Sequence, residues 1–136
     1  MDKKRLLNIG YWVVFAALVG AFAYTKGWIF TNFESITAEQ AYQRIQSDEK
    51  SVIVDVRTPE EFSQGHIKGA ILIPLQTLDQ NLGLLNGVKA QSIIVYCHSG
   101  NRSVAASRLL VKNGFTPLNL KGGISEWSAK GFPTVQ

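Results

Sequence analysis

The sequence predicts an α/β domain with a central parallel sheet, preceded by one apolar N-terminal segment. Two short β-branched runs, residues 51–55 (SVIVD) and 92–96 (SIIVY), are typical of strands that are buried on both faces. Helical patterns alternate with these runs, which is the order expected of a parallel sheet. The chain of 136 residues has room for one domain of ordinary size beyond the N-terminal segment.

The N-terminal segment has the length and composition of a membrane helix. No charged residue occurs from 6 to 25, between Arg5 and Lys26. Twenty helical residues span about 30 Å, which matches the hydrocarbon core of a bilayer. Residues 1–29 are therefore predicted to be a membrane anchor that contains one transmembrane helix.

A cleaved signal peptide is the alternative for the same segment. Residues 21–23 (AFA) resemble an A-x-A cleavage site, so cleavage near Ala23 stays open. In both cases Lys3, Lys4 and Arg5 precede the apolar stretch, and the side with more basic residues usually stays in the cytoplasm. The catalytic domain is expected on the non-cytoplasmic side, which is the periplasm if the cell is bacterial.

The charge of the chain gives no sign of nucleic-acid binding. The net charge is +4, but residues 1–33 hold four Lys/Arg and one Asp, whereas the remainder holds ten Lys/Arg and nine Asp/Glu. The basic excess therefore lies mainly in the N-terminal segment, and the domain has no basic stripe or known reading motif. We expect no nucleic-acid partner.

The other elements are predicted from helix caps and apolar periodicity. Residues 37–40 (TAEQ) form a capping box that is followed by apolar residues at helical spacing. Residues 58–61 (TPEE) form a second capping box with Pro59 at the first helical position. The remaining predictions are an apolar run at 70–73, a broken helix at 75–85, a helix at 103–113, a strand at 117–120 and a helix at 124–130.

The loop after the strand at 92–96 carries the only cysteine of the chain, Cys97. Ligands of parallel sheets bind beyond the carboxyl ends of the strands, so this loop lies where a site is expected. Gly100 permits a tight curve, successive backbone N–H groups can form an anion-binding nest, and Arg102 adds a positive charge. A lone cysteine is more often an inert buried residue, but these features favour the thiolate and predict a nucleophile. The predicted anion-binding loop consists of His98, Ser99, Gly100, Asn101, Arg102 and Ser103.

Several motifs outside the loop resemble one known family in their order and spacing. They are DVRTPEEF at residues 55–62, GHIKGA at 65–70, Ile73-Pro74, and Gly122-Gly123 followed by Trp127. Together with the Cys97 loop they resemble the rhodanese family over residues 34–136. The resemblance implies a rhodanese-like three-layer fold with a central parallel sheet flanked by helices, a catalytic Cys97, and a persulfide cycle. The donor it implies is a small sulfur-containing anion such as thiosulfate.

Polar residues outside the loop are expected to support the site. Asp55 and Arg57 lie at the end of a strand, where ion pairs and hydrogen bonds to backbone can hold the loops. The resemblance gives His66 a framework role. Two His and one Cys without ligand-like spacing predict no metal site, and no cofactor is expected.

Two functions other than catalysed sulfur transfer stay open. The first is phosphate hydrolysis by a cysteine-dependent phosphatase. Such phosphatases resemble H-C-x5-R, whereas here Tyr96 precedes Cys97 and only four residues separate Cys97 from Arg102. This shorter loop favours a persulfide over phosphate. A membrane-tethered sulfur carrier or docking module that retains the cysteine is not distinguished from an enzyme. Since no second cysteine can resolve a persulfide, the acceptor is expected to be an external thiol or a protein.

Overall fold

Five parallel strands form the centre of residues 32–136 in the computed structural model, which describes residues 1–47 and 50–136. The strands are β1 Glu34–Ile36, β2 Val52–Asp55, β3 Ile71–Leu72, β4 Ser92–Tyr96 and β5 Thr116–Leu120, in the spatial order β1-β5-β4-β2-β3. Asp55 at the end of β2 lies in register with Tyr96 at the end of β4. The loops that follow these two strands therefore open on the same edge of the sheet.

Helices cover both faces of this sheet and complete three layers. They are α2 Ala38–Gln46, α3 Pro59–Gln64, α4 Asn101–Lys112 and α5 Gly123–Ala129, with two 3-10 segments, Leu75–Thr77 and Leu82–Val88. The side chains of β4 alternate between two apolar clusters, with Ile94 and Tyr96 in one and Ile93, Val95 and Cys97 in the other. The predicted α/β fold with a central parallel sheet flanked by helices is confirmed.

Local sequence signals account for most of the element boundaries. The capping box before α2 is present, since the Gln40 N–H donates to Thr37 Oγ1 at 3.2 Å and the Thr37 N–H donates to Gln40 Oε1 at 2.9 Å. The helix predicted at 103–113 begins two residues earlier, because Gly100 adopts a φ of 108° and turns the chain directly into α4.

Three segments differ from their sequence-based prediction. The broken helix expected at 75–85 forms the two 3-10 segments, and only two residues of the run at 70–73 form a strand, at the edge of the sheet. β1 was not predicted, because its three residues are too few for a periodic pattern. Its Ser35 and Ile36 pair with β5.

Residues Met1–Thr31 form a separate unit that contains α1, Lys3–Thr25. None of the residues of α1 is buried. By length and composition, α1 can cross a membrane, and a signal sequence near an N-terminus meets the same criteria. Both alternatives of the sequence analysis are compatible with this helix.

Candidate active site

Cys97 occupies the first position after β4, where the chain turns into α4. Its residue is only 1% exposed, and its Sγ accepts a hydrogen bond from the Gly100 N–H at 3.1 Å. The thiol donates to the Oγ of Ser103, which is fully buried, at 3.5 Å. The loop therefore closes over the sulfur and supplies a donor to it.

The first turn of α5 fixes the outer side of this loop. The N–H groups of Ile124 and Ser125 donate to the carbonyl oxygens of Cys97 and His98 at 2.9 and 3.0 Å. Gly123 directly precedes these two donors and has a φ of 59°, and a Cβ there would lie 2.3 Å from the Cys97 carbonyl oxygen. Only glycine fits so close an approach. The carbonyl groups of Cys97 and His98 are thus turned toward α5.

Arg102 is held by a carboxylate that the sequence analysis did not assign to the site. Its Nη1 and Nη2 donate to Oε1 and Oε2 of Glu61 at 2.7 and 2.9 Å, and about a third of each side chain is exposed. Hydrogen bonding to Arg102 lowers the pKa of Glu61 from 4.5 to about 2. Hydrogen bonding to Glu61 raises the pKa of Arg102, with smaller Coulombic contributions that include one from Cys97. The predicted anion-binding cation therefore carries its own counter-charge.

Asp55 and Arg57 form a second ion pair, which is buried. The Arg57 Nη2 donates to Asp55 Oδ2 at 2.7 Å, Nε donates to Oδ1 at 2.9 Å, and the backbone N–H donates to Oδ1 at 3.0 Å. The same Nη2 also donates to the Gly65 carbonyl oxygen at 2.7 Å. Although burial opposes the charge, bonding to Asp55 raises the pKa of Arg57. This pair ties the end of β2 to the end of α3.

A cavity of about 660 Å³ opens beside the cysteine loop. Both ion pairs contribute a residue to its wall, and hydroxyl groups from the C-terminal part of the chain contribute others. The lining residues are Arg57, Glu61, Gln64, Gly65, His98, Arg102, Ile124, Ser125, Ser128 and Thr134. The cavity is large enough for a small anion and for part of an acceptor molecule.

The structure places some of the predicted site residues around Cys97 or the cavity and leaves others exposed. Gly100, Arg102 and Ser103 lie around Cys97 or the cavity, and the exposed side chain of His98 lines the entrance. Ser99 and Asn101 are exposed and contribute backbone to the turn. Arg57 lines the cavity, and its buried partner Asp55 does not. Among the described residues, no group of three or more His, Cys, Asp or Glu could hold a metal ion.

Several residues of the cavity wall were not predicted to belong to the site. Glu61 was interpreted as part of a helix cap and of the motif at residues 55–62, but not as a site residue. It is part of the cap, since its N–H donates to Thr58 Oγ1 at 3.2 Å. Ser125, Ser128 and Thr134 belong to no motif, and only the fold brings them to the cavity. His66 stacks on Phe62 with ring centroids 3.6 Å apart, and its Nδ1 lies 2.9 Å from the Phe62 carbonyl oxygen. This position is compatible with the framework role that the resemblance implies.

Known proteins resemble this chain in sequence and in fold. The rhodanese-like domain family matches residues 37–130. A sulfurtransferase of Allochromatium vinosum is 36% identical over 101 residues, which cover 74% of this chain and 92% of that protein. The putative sulfur carrier protein YrkF of Bacillus subtilis is also 36% identical over 101 residues, which cover 74% of this chain and 54% of that protein. A rhodanese-related protein of Thermoplasma volcanium superposes with a TM-score of 0.69 at 33% identity, over 76% of this chain and 98% of that one.

Proposed function

Because the chain belongs to the rhodanese-like domain family, we propose that it is a sulfurtransferase that carries sulfane sulfur as a persulfide on Cys97. The family and its relatives support a role in sulfur transfer or sulfur carriage. One observation carries the finer proposal: the Sγ of Cys97 accepts the Gly100 N–H at 3.1 Å at the base of a turn beside an open cavity. That environment stabilises both a thiolate and the anionic terminal sulfur of a persulfide.

The first step of the proposed reaction loads sulfur onto the protein. The Cys97 thiolate attacks the outer sulfur of thiosulfate, a new sulfur–sulfur bond forms, and the old one breaks with its electron pair on the leaving sulfite. The products are an anionic Cys97 persulfide and sulfite, so charge and atoms balance without an oxidant. Arg102 and the backbone N–H groups of the loop hold the donor anion in this step.

The second step transfers the terminal sulfur to an acceptor. An acceptor thiolate, or cyanide in a test tube, attacks that sulfur and takes it, while the electron pair of the broken bond restores the Cys97 thiolate. The chain has one cysteine, so the acceptor comes from outside. A cavity of about 660 Å³ gives such a molecule access.

A dedicated sulfur carrier is the second candidate, and the similarity to a putative sulfur carrier protein favours it. It uses the same persulfide but delivers sulfur only to a particular protein. Multiple turnover with thiosulfate and cyanide separates the two candidates. Rapid release of thiocyanate over many cycles supports the enzyme, whereas one stoichiometric loading followed by slow release supports the carrier.

Intact-mass measurement of the full chain in detergent tests the persulfide. Incubation with thiosulfate is expected to add one sulfur atom, and cyanide is expected to remove it as thiocyanate. The matched control is Cys97→Ser, which keeps a hydroxyl at the base of the turn and should gain no mass. An unmodified mass for the unaltered protein would overturn the proposal.

We further propose that α1 anchors the domain to a membrane, with the domain on the non-cytoplasmic side. Lys3, Lys4 and Arg5 at the start of α1 favour a cytoplasmic N-terminus. Fractionation with N-terminal sequencing distinguishes an intact anchor from cleavage near Ala23. In bacterial spheroplasts, added protease should degrade the domain, and protection of the domain would contradict this topology.

A further inference from the structure

We infer that Glu61 is a specificity-determining residue that disfavours dianionic sulfur donors relative to monoanionic ones. The inference rests on the proposed function and concerns the same site. Its starting point is the bidentate contact in which both Glu61 oxygens accept from Arg102, at 2.7 and 2.9 Å. Both residues line the cavity beside Cys97, so a donor anion that approaches the sulfur meets the carboxylate as well as the guanidinium.

The other cation of the cavity wall is compensated in the same way. Arg57 lines the cavity, but its guanidinium is bound to the buried carboxylate of Asp55 at 2.7 Å. Each guanidinium that faces the cavity is therefore matched by one carboxylate. The cavity has polar donors for an anion, from backbone and hydroxyl groups, without an excess of positive charge to favour a dianion.

The paired guanidinium keeps part of its binding capacity. An arginine has five N–H donors, and the fork that holds Glu61 leaves others available to a ligand. Glu61 therefore leaves Arg102 able to bind a donor but reduces the attraction that each negative charge of the donor gains. The Glu61 carboxylate lies several ångströms from a bound donor, where the effective dielectric constant is between that of a protein surface and that of water. At that distance its charge changes the affinity for the donor about fivefold for each negative charge on the donor.

Two donors of matched chemistry isolate this effect. Thiosulfate and methanethiosulfonate each present one sulfane sulfur bonded to an oxidised sulfur, with charges of two and one. Changes in Cys97 reactivity affect both donors, so they cancel in the ratio of the two kcat/KM values. Steady-state kinetics of the full chain with cyanide as acceptor gives this ratio. In Glu61→Gln we expect the ratio of kcat/KM for thiosulfate to kcat/KM for methanethiosulfonate to rise about fivefold.

Two variants separate local charge from other causes. Glu60→Gln removes the same charge from the neighbouring, exposed residue, and the ratio should change less than about twofold because water screens that distance. Glu61→Asp keeps the charge and shortens the side chain, so a shift as large as that of Glu61→Gln would mean that positioning, not charge, is responsible. Either that shift or an equal effect of Glu60→Gln would overturn the inference, as would an unchanged ratio in Glu61→Gln.

Inert anions test the same inference without sulfur transfer. Sulfate and methanesulfonate carry the charges of the two donors, and either should slow alkylation of Cys97 by iodoacetamide when it occupies the loop. Glu61→Gln should improve protection by sulfate about fivefold more than protection by methanesulfonate. If neither donor loads sulfur but this selectivity appears, the proposed function fails and the inference stands. If sulfur loads normally and the selectivity is absent, the inference fails alone.

Unaltered protein provides a measurement that does not depend on the folding of a variant. With Arg102 compensated by Glu61, the thiosulfate to methanethiosulfonate ratio should change less than about twofold between low and high salt. A steep fall of this ratio with salt would indicate an uncompensated positive site and would overturn the inference.

Discussion

The loops that follow β2 and β4 contain the same ionic chemistry in two different settings. After β2, Arg57 and Asp55 lie two residues apart, and their side chains are 5% and 0% exposed. After β4, Arg102 pairs with Glu61, a residue of α3 that is distant in sequence, and about a third of each side chain is exposed. The first pair also binds a backbone carbonyl, at Gly65, and only its arginine lines the cavity, whereas both residues of the second pair line it.

The difference between the two settings indicates a difference in role. A buried pair is costly to break because the remaining charge has no water around it. A pair with a third of its surface in water contributes little to stability but still shapes the local field. We therefore expect the pair after β2 to act as a structural brace and the pair after β4 to adjust the binding of ligands.

The largest expected effect separates the two arginines. Arg57→Ala leaves Asp55 buried without its partner and should lower the free energy of unfolding by about 3–5 kcal/mol. Arg102→Ala should lower it by about 1 kcal/mol or less, while it reduces sulfur transfer per folded molecule far more than Arg57→Ala does. Urea denaturation and turnover normalised to folded protein measure both quantities. Equal losses of activity with unchanged stability would place Arg57 in the binding site.

A second prediction concerns the backbone that supports the cysteine loop. Gly123→Ala would place a Cβ 2.3 Å from the Cys97 carbonyl oxygen at a φ of 59°, and we expect a loss of about 2–4 kcal/mol together with loss of transfer activity. Gly131 is the matched control, since its φ is 78° but nothing lies within 4 Å of its Cβ position. Gly131→Ala should cost only the conformational term, about 1–2 kcal/mol. Similar results for both variants would mean that the close approach is not limiting.

The contribution of the Glu61–Arg102 ion pair to stability should depend on pH. Glu61 has a folded-state pKa of about 2 against an ordinary 4.5, so the stabilisation is present above about pH 4.5 and is lost as the pH falls toward 2. Glu61→Gln should therefore cost about 1 kcal/mol at pH 7 and progressively less below pH 4.5. Urea denaturation at several pH values measures the difference from the unaltered protein. A difference that stays constant with pH would contradict a contribution from the charged pair.

The last prediction is that the protein has no phosphatase activity that depends on Cys97. The unaltered protein should not hydrolyse p-nitrophenyl phosphate in a Cys97-dependent way, because the loop that ends at Arg102 is one residue shorter than a phosphatase loop. Insertion of one residue after Asn101 is the matched variant in which a trace of activity could appear. Robust hydrolysis by the unaltered chain would overturn the argument from loop length.

The sequence predicted the elements whose signals are local. β4 was predicted at its observed bounds because SIIVY combines β-branched residues with flanking polar ones, and the Thr37 capping box located the start of α2. The edge strand β3 and the 3-10 segments were predicted poorly, since their conformation depends on packing against the sheet and not on a periodic pattern.

The site was predicted to the extent that it lies in one loop. Cys97, Gly100 and Arg102 are close in sequence, and their spacing suggested the turn. The contact between Arg102 and Glu61 joins residues 41 positions apart, and the hydrogen bond from the Ile124 N–H to the Cys97 carbonyl oxygen joins the cysteine loop to the first turn of α5. Such contacts depend on the order of strands in the sheet, which the sequence analysis did not determine.

The burial of Cys97 implies that the accessibility of sulfur in the proposed site differs between the empty and the loaded form. As a thiol, the sulfur is covered by its loop, with a residue exposure of 1%, and large molecules have little access to it. In the proposed cycle, the terminal sulfur of a persulfide would extend one sulfur–sulfur bond, about 2 Å, beyond the Cys97 Sγ. A partner thiol could thus distinguish a loaded molecule from an empty one by reach alone. Empty molecules would then not compete for acceptors, and the flow of sulfur would be directed from the loaded form outward without any change in the fold.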